Sequence, residues 1–397
     1  MAVKWQSVPI SEAFEAIRNG KSIKQGQVTG GIPITRIETI SEGRVDFARM
    51  GYAGIKSTTG FEKYVLAKAD ILMSHINSEK HLGKVALFPG GQTIIHGMNL
   101  LCLRPNPLIL LSQFAVLFFR HSLFEAQLAK ISKKSVNQAS FSVSALKTLN
   151  IPLPPLEEQR RIVEILDAAQ ALIDQRKEQL GLMDQLVQSL FYEMFGDPVT
   201  NPMGWEFSTL GTLFRVKTGK TPARKEMPYW ENGEIPWVKT TEVNGELILD
   251  SDEKITKLGL RESNLELFPE GTILIAMYGQ GRTRGRVAIL GIKAATNQAC
   301  AALVPADHIV QEYVFRFLSL SYLQLRRLGR GGNQPNLNLS LVSGFQIPRP
   351  PIELQTQFAE RVEAIEVQKA AMVASLVELE TTFQALMQRA FKGELTG

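Results

Sequence analysis

Cysteine is nearly absent from the 397-residue chain: Cys102 and Cys300 are its only two. Two cysteines supply neither a disulfide framework nor a Cys-rich zinc module, and such sparse usage points to a reducing compartment. The five histidines (75, 81, 96, 121 and 308) share no metal-ligand spacing with one another or with cysteine, so no metal is expected. Long apolar runs are also missing. The longest stretch, Leu108 to Phe119, is interrupted by Ser112 and Gln113 and is too short to span a bilayer. The opening MAVKWQSVPI lacks the apolar centre of a signal peptide. These absences predict a soluble, cytoplasmic protein with no membrane partner. Neither sign of charge dominates: 44 Lys and Arg stand against 39 Asp and Glu, a net charge of +5. That balance neither demands nor excludes nucleic acid.

Enzyme motifs are missing as well. Gly-Lys-Ser at 20–22 and Gly-Lys-Thr at 219–221 look like the end of a phosphate-binding loop, but the glycine required five positions earlier is replaced by Glu15 and Phe214. No Gly-rich cofactor loop with an Asn-Pro-Pro-aromatic run is present, as a methyltransferase would need. Asp252-Glu253-Lys254 faintly resembles the end of a nuclease site, yet a charged turn is the better reading. Cys102 and Cys300 lie in apolar, strand-like runs and read as core.

What the chain does have is a repeat. IPLPPLEEQ at 151–159 matches IPRPPIELQ at 347–355, an offset of 196 that holds without a gap from Asn137-Gln138 against Asn333-Gln334 through to Phe195 against Phe391. Upstream the match survives only in islands of drifting offset, the mark of loop insertions and deletions. With 44% apolar residues and a length suited to two or three globular units, the division is a variable domain at 1–156, a helix at 157–197, a second variable domain at 198–352 and a second helix at 353–397.

Both tails carry apolar residues in 4-3 alternation. The first runs through Ile162, Leu166, Ala169, Ile173, Arg176, Leu180, Met183, Val187, Leu190 and Met194; the second through Phe358, Val362, Ile365, Lys369, Met372, Leu376, Leu379, Phe383, Leu386 and Ala390. Arg176 and Lys369 are polar breaks that cost stability and help fix register. Two equal helices with matching seams most simply pair as an antiparallel coiled coil, with the two α+β domains related by a pseudo-twofold axis. Each helix, about 57 Å long, then acts as a ruler. The alternative is that each helix packs separately on its own domain.

The charge is unevenly placed. The segments at 1–156, 157–197, 198–352 and 353–397 carry +9, −5, +4 and −3. The heads are basic and the rods acidic. Candidate DNA-binding residues are Lys21, Lys24 and Arg36 in the first head, which also carries Lys133-Lys134. In the second they are Lys217, Lys220, Arg224, Lys225, Lys239, Gln280, Arg282, Arg284, Arg286, Arg330 and Asn333, with Arg326 and Arg327 alongside. Arginine and lysine neutralise phosphates, arginine also reads guanine, and Asn or Gln pairs with adenine edges. Arg282, Arg284 and Arg286 would project from one face if their segment were a strand, and would still make a dense patch in a loop. A solvated charged surface is the competing reading.

The paired IPLPPLEEQRRIVEIL (151–166) and IPRPPIELQTQFAERV (347–362), each preceded by Asn-Gln, together with helices closing in LFYEMFGDP and LMQRAFKGEL, resemble the DNA-specificity subunit of type I restriction-modification enzymes. Gly-Lys-Thr-Pro at 219–222 and Thr-Asn-Gln at 296–298 look like family elements too, with Met98-Asn99-Leu100 expected where the first head should carry the triplet. The resemblance implies a non-catalytic chain whose two heads each recognise one half of a bipartite DNA target while the helices set the spacing. It implies two methyltransferase subunits and a restriction/translocase subunit as partners, which supply S-adenosylmethionine, ATP and Mg chemistry. It leaves open a complex that methylates without cleaving. Outside the family, a bivalent protein-binding scaffold is the alternative.

Overall fold

A computed structural model describes residues 5–25, 31–136, 138–279, 281–329 and 336–395. The chain forms two compact units, Met1–Lys177 with Ala374–Gly397, and Glu178–Val373. Each long helix therefore contributes its first part to one unit and its last part to the other.

In the first unit, strands Phe14–Asn19, Leu100–Pro105, Ile71–Ser74 and Val85–Leu87 pair in that order as an antiparallel sheet. Alternation sends Ile71, Met73, Leu101 and Leu103 to one face, where they meet helices Ser112–Phe119 and Ser122–Ile131. Leu72, Leu100 and Cys102 point to the other face, onto Ile40, Leu66, Phe88 and Ile94. Burial on both faces is why these strands read as continuous apolar runs rather than alternating ones.

The second unit repeats the plan. Strands Arg215–Thr218, Cys300–Val304, Ile273–Ala276 and Val287–Leu290 take the same order, and Leu247–Ile248 adds a fifth, parallel, edge strand. Helices Gln311–Leu320 and Tyr322–Arg327 cover one face. Both cysteines lie on central strands and are fully buried, which pushes the Cys102 thiol up to about 12 and the Cys300 thiol higher still. In each head the apolar segment after the last central strand forms two helices, broken at Arg120-His121 and at Ser321.

The long helices run from Leu156 to Phe195 and from Ile352 to Phe391. Gly196 and Gly393 follow them in the left-handed region, φ +80° and +71°, where glycine ends a helix without Cβ strain. Residues beyond the first helix form an ordered turn: the Asp197 carboxylate accepts from Val199 and Thr200 backbone N–H groups, and Trp205 Nε1 donates to Phe195 O.

Within each unit two helix segments pair antiparallel. In the first, Ile162 and Leu166 share a core with Phe383, Leu386, Met387 and Phe391, and Lys177 pairs with Glu380. In the second, Val187 and Phe191 pack with Phe358 and Val362, while Leu190 and Ile365 border the same core. Lys369, the polar break, pairs there with Asp184. Ile162, Leu166, Ile173, Val187, Phe358 and Val362 are buried. Leu180, Met183, Leu190, Ile365, Met372, Leu376, Leu379, Phe383 and Leu386 are half-buried. Off-seam Ile165, Leu172, Leu182, Leu186, Val367, Val373 and Val377 are exposed. The 3.5-residue stripe therefore marks covered apolar residues, and at the helix ends off-seam Phe191, Phe195, Met387 and Phe391 are buried as well.

The Pro-Pro-x-Glu-x-Gln motif is a fastener between head and helix. Gln159 is fully buried; its Oε1 accepts from Leu111 N (2.8 Å), and its Nε2 donates to Ile109 O and Pro154 O (both 2.8 Å). Gln355 does the same in the second unit, accepting from Val310 N (2.9 Å) and donating to Pro350 O (2.8 Å). In both heads the amide caps the otherwise unsatisfied start of the first covering helix, since a buried helix terminus needs partners. A strand pair beside it, Ser7–Pro9 with Asn150–Pro152 or Phe207–Thr209 with Gln346–Pro348, ties each head's beginning to its end.

Candidate nucleic-acid interface

The Gly-Lys pairs are backbone crossings. Lys21 N donates to His96 O (2.9 Å), and Lys220 N donates to Thr296 O (3.0 Å). A Cβ on Gly219 would lie 1.8 Å from Thr296 O, and one on Gly20 would lie 2.1 Å from Gly97 O, so only glycine lets the two segments touch. The crossing also corrects an expectation: its register aligns His96-Gly97-Met98 with Thr296-Asn297-Gln298, not Met98-Asn99-Leu100. Strand pairing agrees, because Leu103 faces Ile71 as Leu303 faces Ile273. The triplet was misplaced because loop lengths differ upstream while the crossing preserves geometry.

In the second head the crossing joins the two suspected elements. Thr218 Oγ1 donates to Gln298 O (2.9 Å) and Thr221 Oγ1 to Gln298 Oε1, while Trp237 Nε1 donates to Lys220 O (3.0 Å). Lys217, Lys220 and Lys225 are exposed around it. Among the described residues none of these three has an acidic partner.

Arg224 and Lys239 differ. The Arg224 guanidinium stacks 4.1 Å from the Trp230 ring centroid and 4.9 Å from that of Trp237, and pairs with Glu253. Lys239 Nζ reaches the same carboxylate at 2.9 Å. Hydrogen bonds from Arg224 and then Lys239 hold the Glu253 carboxyl below its usual range, and the Glu253 bond raises Lys239. Asp252 lies 3.6 Å from Lys239 Nζ, so the two carboxylates of the turn suspected from sequence together offset two of the candidate cations.

Residues 281–285 lie outside any strand, so Arg282 and Arg284 belong to a loop and only Arg286 abuts the strand Val287–Leu290. Arg282 is exposed; Arg284 and Arg286 are half-buried. Arg327 is exposed, whereas the Arg326 guanidinium turns inward onto the loop carbonyl of Arg284. Gln280, Arg330 and Asn333 lie outside the described residues.

In the first head, Lys21 stands 6.0 Å from the Tyr64 ring centroid, where Lys63 approaches to 5.1 Å. Arg36 Nε donates to Gln25 Oε1 (2.6 Å), and Gln25 bridges to Ala53, with exposed Lys24 beside it. Lys133 and Lys134 sit on a hairpin, Lys133–Ser135 with Gln138–Ser140, that pairs with Ile76–Asn77. Sequence reasoning missed Tyr64, Trp230 and Trp237, which shape these surfaces without being basic. Recurrence at one offset was the available signal for Gln159 and Gln355.

The sequence profile of the type I restriction modification DNA specificity domain matches residues 2–181 and 202–380. The chain belongs to that family. A putative type I restriction enzyme MjaX specificity subunit from Methanocaldococcus jannaschii is 31% identical over 379 residues, covering 91% of this chain and 87% of the relative. The EcoKI specificity subunit of Escherichia coli K12 is 21% identical over 431 residues, covering 99% and 89%. A chain solved in work on assembly and conformational transition of the type I restriction-modification system superposes with a TM-score of 0.61 at 20% identity, covering 98% of each. The S subunit from M. genitalium gives 0.56 at 16% identity, covering 98% and 96%. Both share the fold, two α+β heads with long coiled-coil helices. As a type I specificity subunit, the chain's work is DNA target recognition. Among the described residues no helix is long and apolar enough to cross a membrane.

Proposed function

We propose that the chain reads a bipartite, asymmetric double-stranded DNA target, one half through each head, and directs two methyltransferase subunits and a restriction/translocase subunit to it. The observation that carries this reading is that the heads share a sheet order, a Gly-Lys crossing and a buried-glutamine fastener, yet differ in the rings, carboxylates and loops that surround their basic side chains. Two different rims on one scaffold suit two different half-sequences.

Lys21, Lys24 and Arg36 contact the first half, with phosphates the main source of affinity. Lys217, Lys220, Lys225, Arg282, Arg284 and Arg286 serve the second, joined by Gln280, Arg330 and Asn333. Arg224 and Lys239, paired with Glu253 and Asp252, shape the surface rather than hold phosphate. The helices act as the spacer. The chain takes no cofactor of its own; S-adenosylmethionine, ATP and Mg belong to the partner subunits, and the assembly works in the cytoplasm.

The test is to exchange residues 198–352 for the corresponding head of a relative, express the chimaera with the methyltransferase partner, and sequence the methylated DNA. One half of the modified motif should change and the other persist. A change in both halves would overturn the division of labour.

A further inference from the structure

We propose that Tyr322 and Arg326 are positioning residues for DNA readout by the second head: they hold the Arg282–Arg284 loop in its reading conformation without touching DNA themselves. This rests on the assignment of that loop to the second half of the target.

The loop has little support of its own. Between strands Ile273–Ala276 and Val287–Leu290 it contains Gly279, Gly281 and Gly285 at φ +140°, +60° and +83°, conformations that side-chain-bearing residues rarely adopt. A glycine-rich loop bearing an exposed arginine would ordinarily lose much conformational entropy on ordering against DNA. Here the helix Tyr322–Arg327 supplies an external brace. Tyr322 OH donates to Arg282 O (2.8 Å), and one Arg326 nitrogen donates to Arg284 O (3.0 Å) and to Tyr322 OH (2.9 Å). The two braces lie one helical turn apart, and the guanidinium carbon sits 5.4 Å from the Tyr322 ring centroid. A Cβ on Gly285 would come within 3.0 Å of Arg326 Cγ, so the loop lies directly against the brace. The Arg326 guanidinium is engaged by one carbonyl and one hydroxyl, whereas Arg282 is exposed and without an acidic partner among the described residues. One arginine holds and the other reads.

The test uses the full chain with its methyltransferase partner, and the modified motif is determined by sequencing the methylated DNA. Arg282→Ala first establishes the loop's role: it should degrade one half of the motif, and an unchanged motif would sink the underlying assignment rather than the brace. Given that result, Tyr322→Phe, which keeps the ring and removes one hydroxyl, should reduce discrimination at the same half about tenfold. The other half and the melting temperature should stay unchanged. Arg326→Lys separates holding from phosphate contact. A phosphate contact would survive as lysine, whereas the brace would not, because an ammonium lacks the planar guanidinium that lies against the Tyr322 ring and aims one nitrogen at both acceptors. Binding to a duplex carrying the motif should therefore weaken in Arg326→Lys as in Arg326→Ala, both with the parent's salt slope. A salt slope shallower by about one in Arg326→Ala would instead mark a lost phosphate contact. That result, or full discrimination in Tyr322→Phe, overturns the proposal.

Discussion

The two heads solve one turn in two ways. Just before the central strand, Ala69 in the first head stands at φ +70°, and Gly271 in the second stands at φ +79°. Alanine is strained there and glycine is not. In the first head Asp70, 1% exposed, accepts from Ala67 N and takes a two-pronged bond from Arg104, both prongs at 2.7 Å. In the second, the equivalent Thr272 closes the turn with one hydroxyl bond to Pro269 O, and Val304 replaces the arginine. The first head thus couples a strained residue to a half-buried ion pair where the second uses a relaxed glycine and a neutral threonine. The scaffold tolerates either solution because the surrounding strands are held by burial on both faces.

The sharpest contrast lies where head meets helix. Phe358 is fully buried against Phe191 and Phe195, with ring centroids 5.6 and 5.2 Å away, while Phe391 is 7% exposed beside Phe114, Phe118 and His121. Phe358→Ala should destabilise the second unit by about 3–5 kcal/mol. Phe391→Ala should cost the first unit less, because its cavity opens toward solvent. Denaturant unfolding followed by hydrogen exchange tells the units apart. Equal losses would show that the two junctions are packed alike.

A second contrast depends on pH. His96 occupies the crossing that Thr296 fills in the second head. Burial holds its pKa down at about 4, despite the bond to Leu100 O that works the other way; Arg18, Asp70 and His75 act more weakly. A histidine kept neutral on folding contributes stability that is complete above the unfolded value near 6.5 and is lost as pH falls toward 4. The first unit should therefore lose about 3 kcal/mol over that interval, whereas a His96→Thr variant should lose much less. Thermal unfolding of parent and variant across the interval reads the difference. Parallel curves would remove His96 from the account.

The smallest expected effect concerns the turn itself. Ala69→Gly should stabilise the first unit by up to about 1 kcal/mol, and Gly271→Ala should destabilise the second by a similar amount. A loss in the first case would mean that the Asp70–Arg104 pair already relieves the strain.

The sequence by itself determined the repeat, the long helices and their seam, because a 3.5-residue apolar period and an ungapped 196-residue offset need no tertiary information. It also identified the basic heads, the failed phosphate loops and the family. Only the tertiary structure decided what each of those residues does. Glu253 draws Arg224 and Lys239 together from distant segments, so sequence proximity to other cations says nothing of their neutralisation. Arg326 looks like another DNA cation in the chain, yet one of its guanidinium nitrogens is turned onto Arg284 O and Tyr322 OH. The triplet in the first head was misaligned because loop lengths drift while backbone crossings do not. Periodicity is a local property and survives in one dimension. Whether a charge is free, paired or holding a loop depends on partners brought together by folding, and one dimension does not record them.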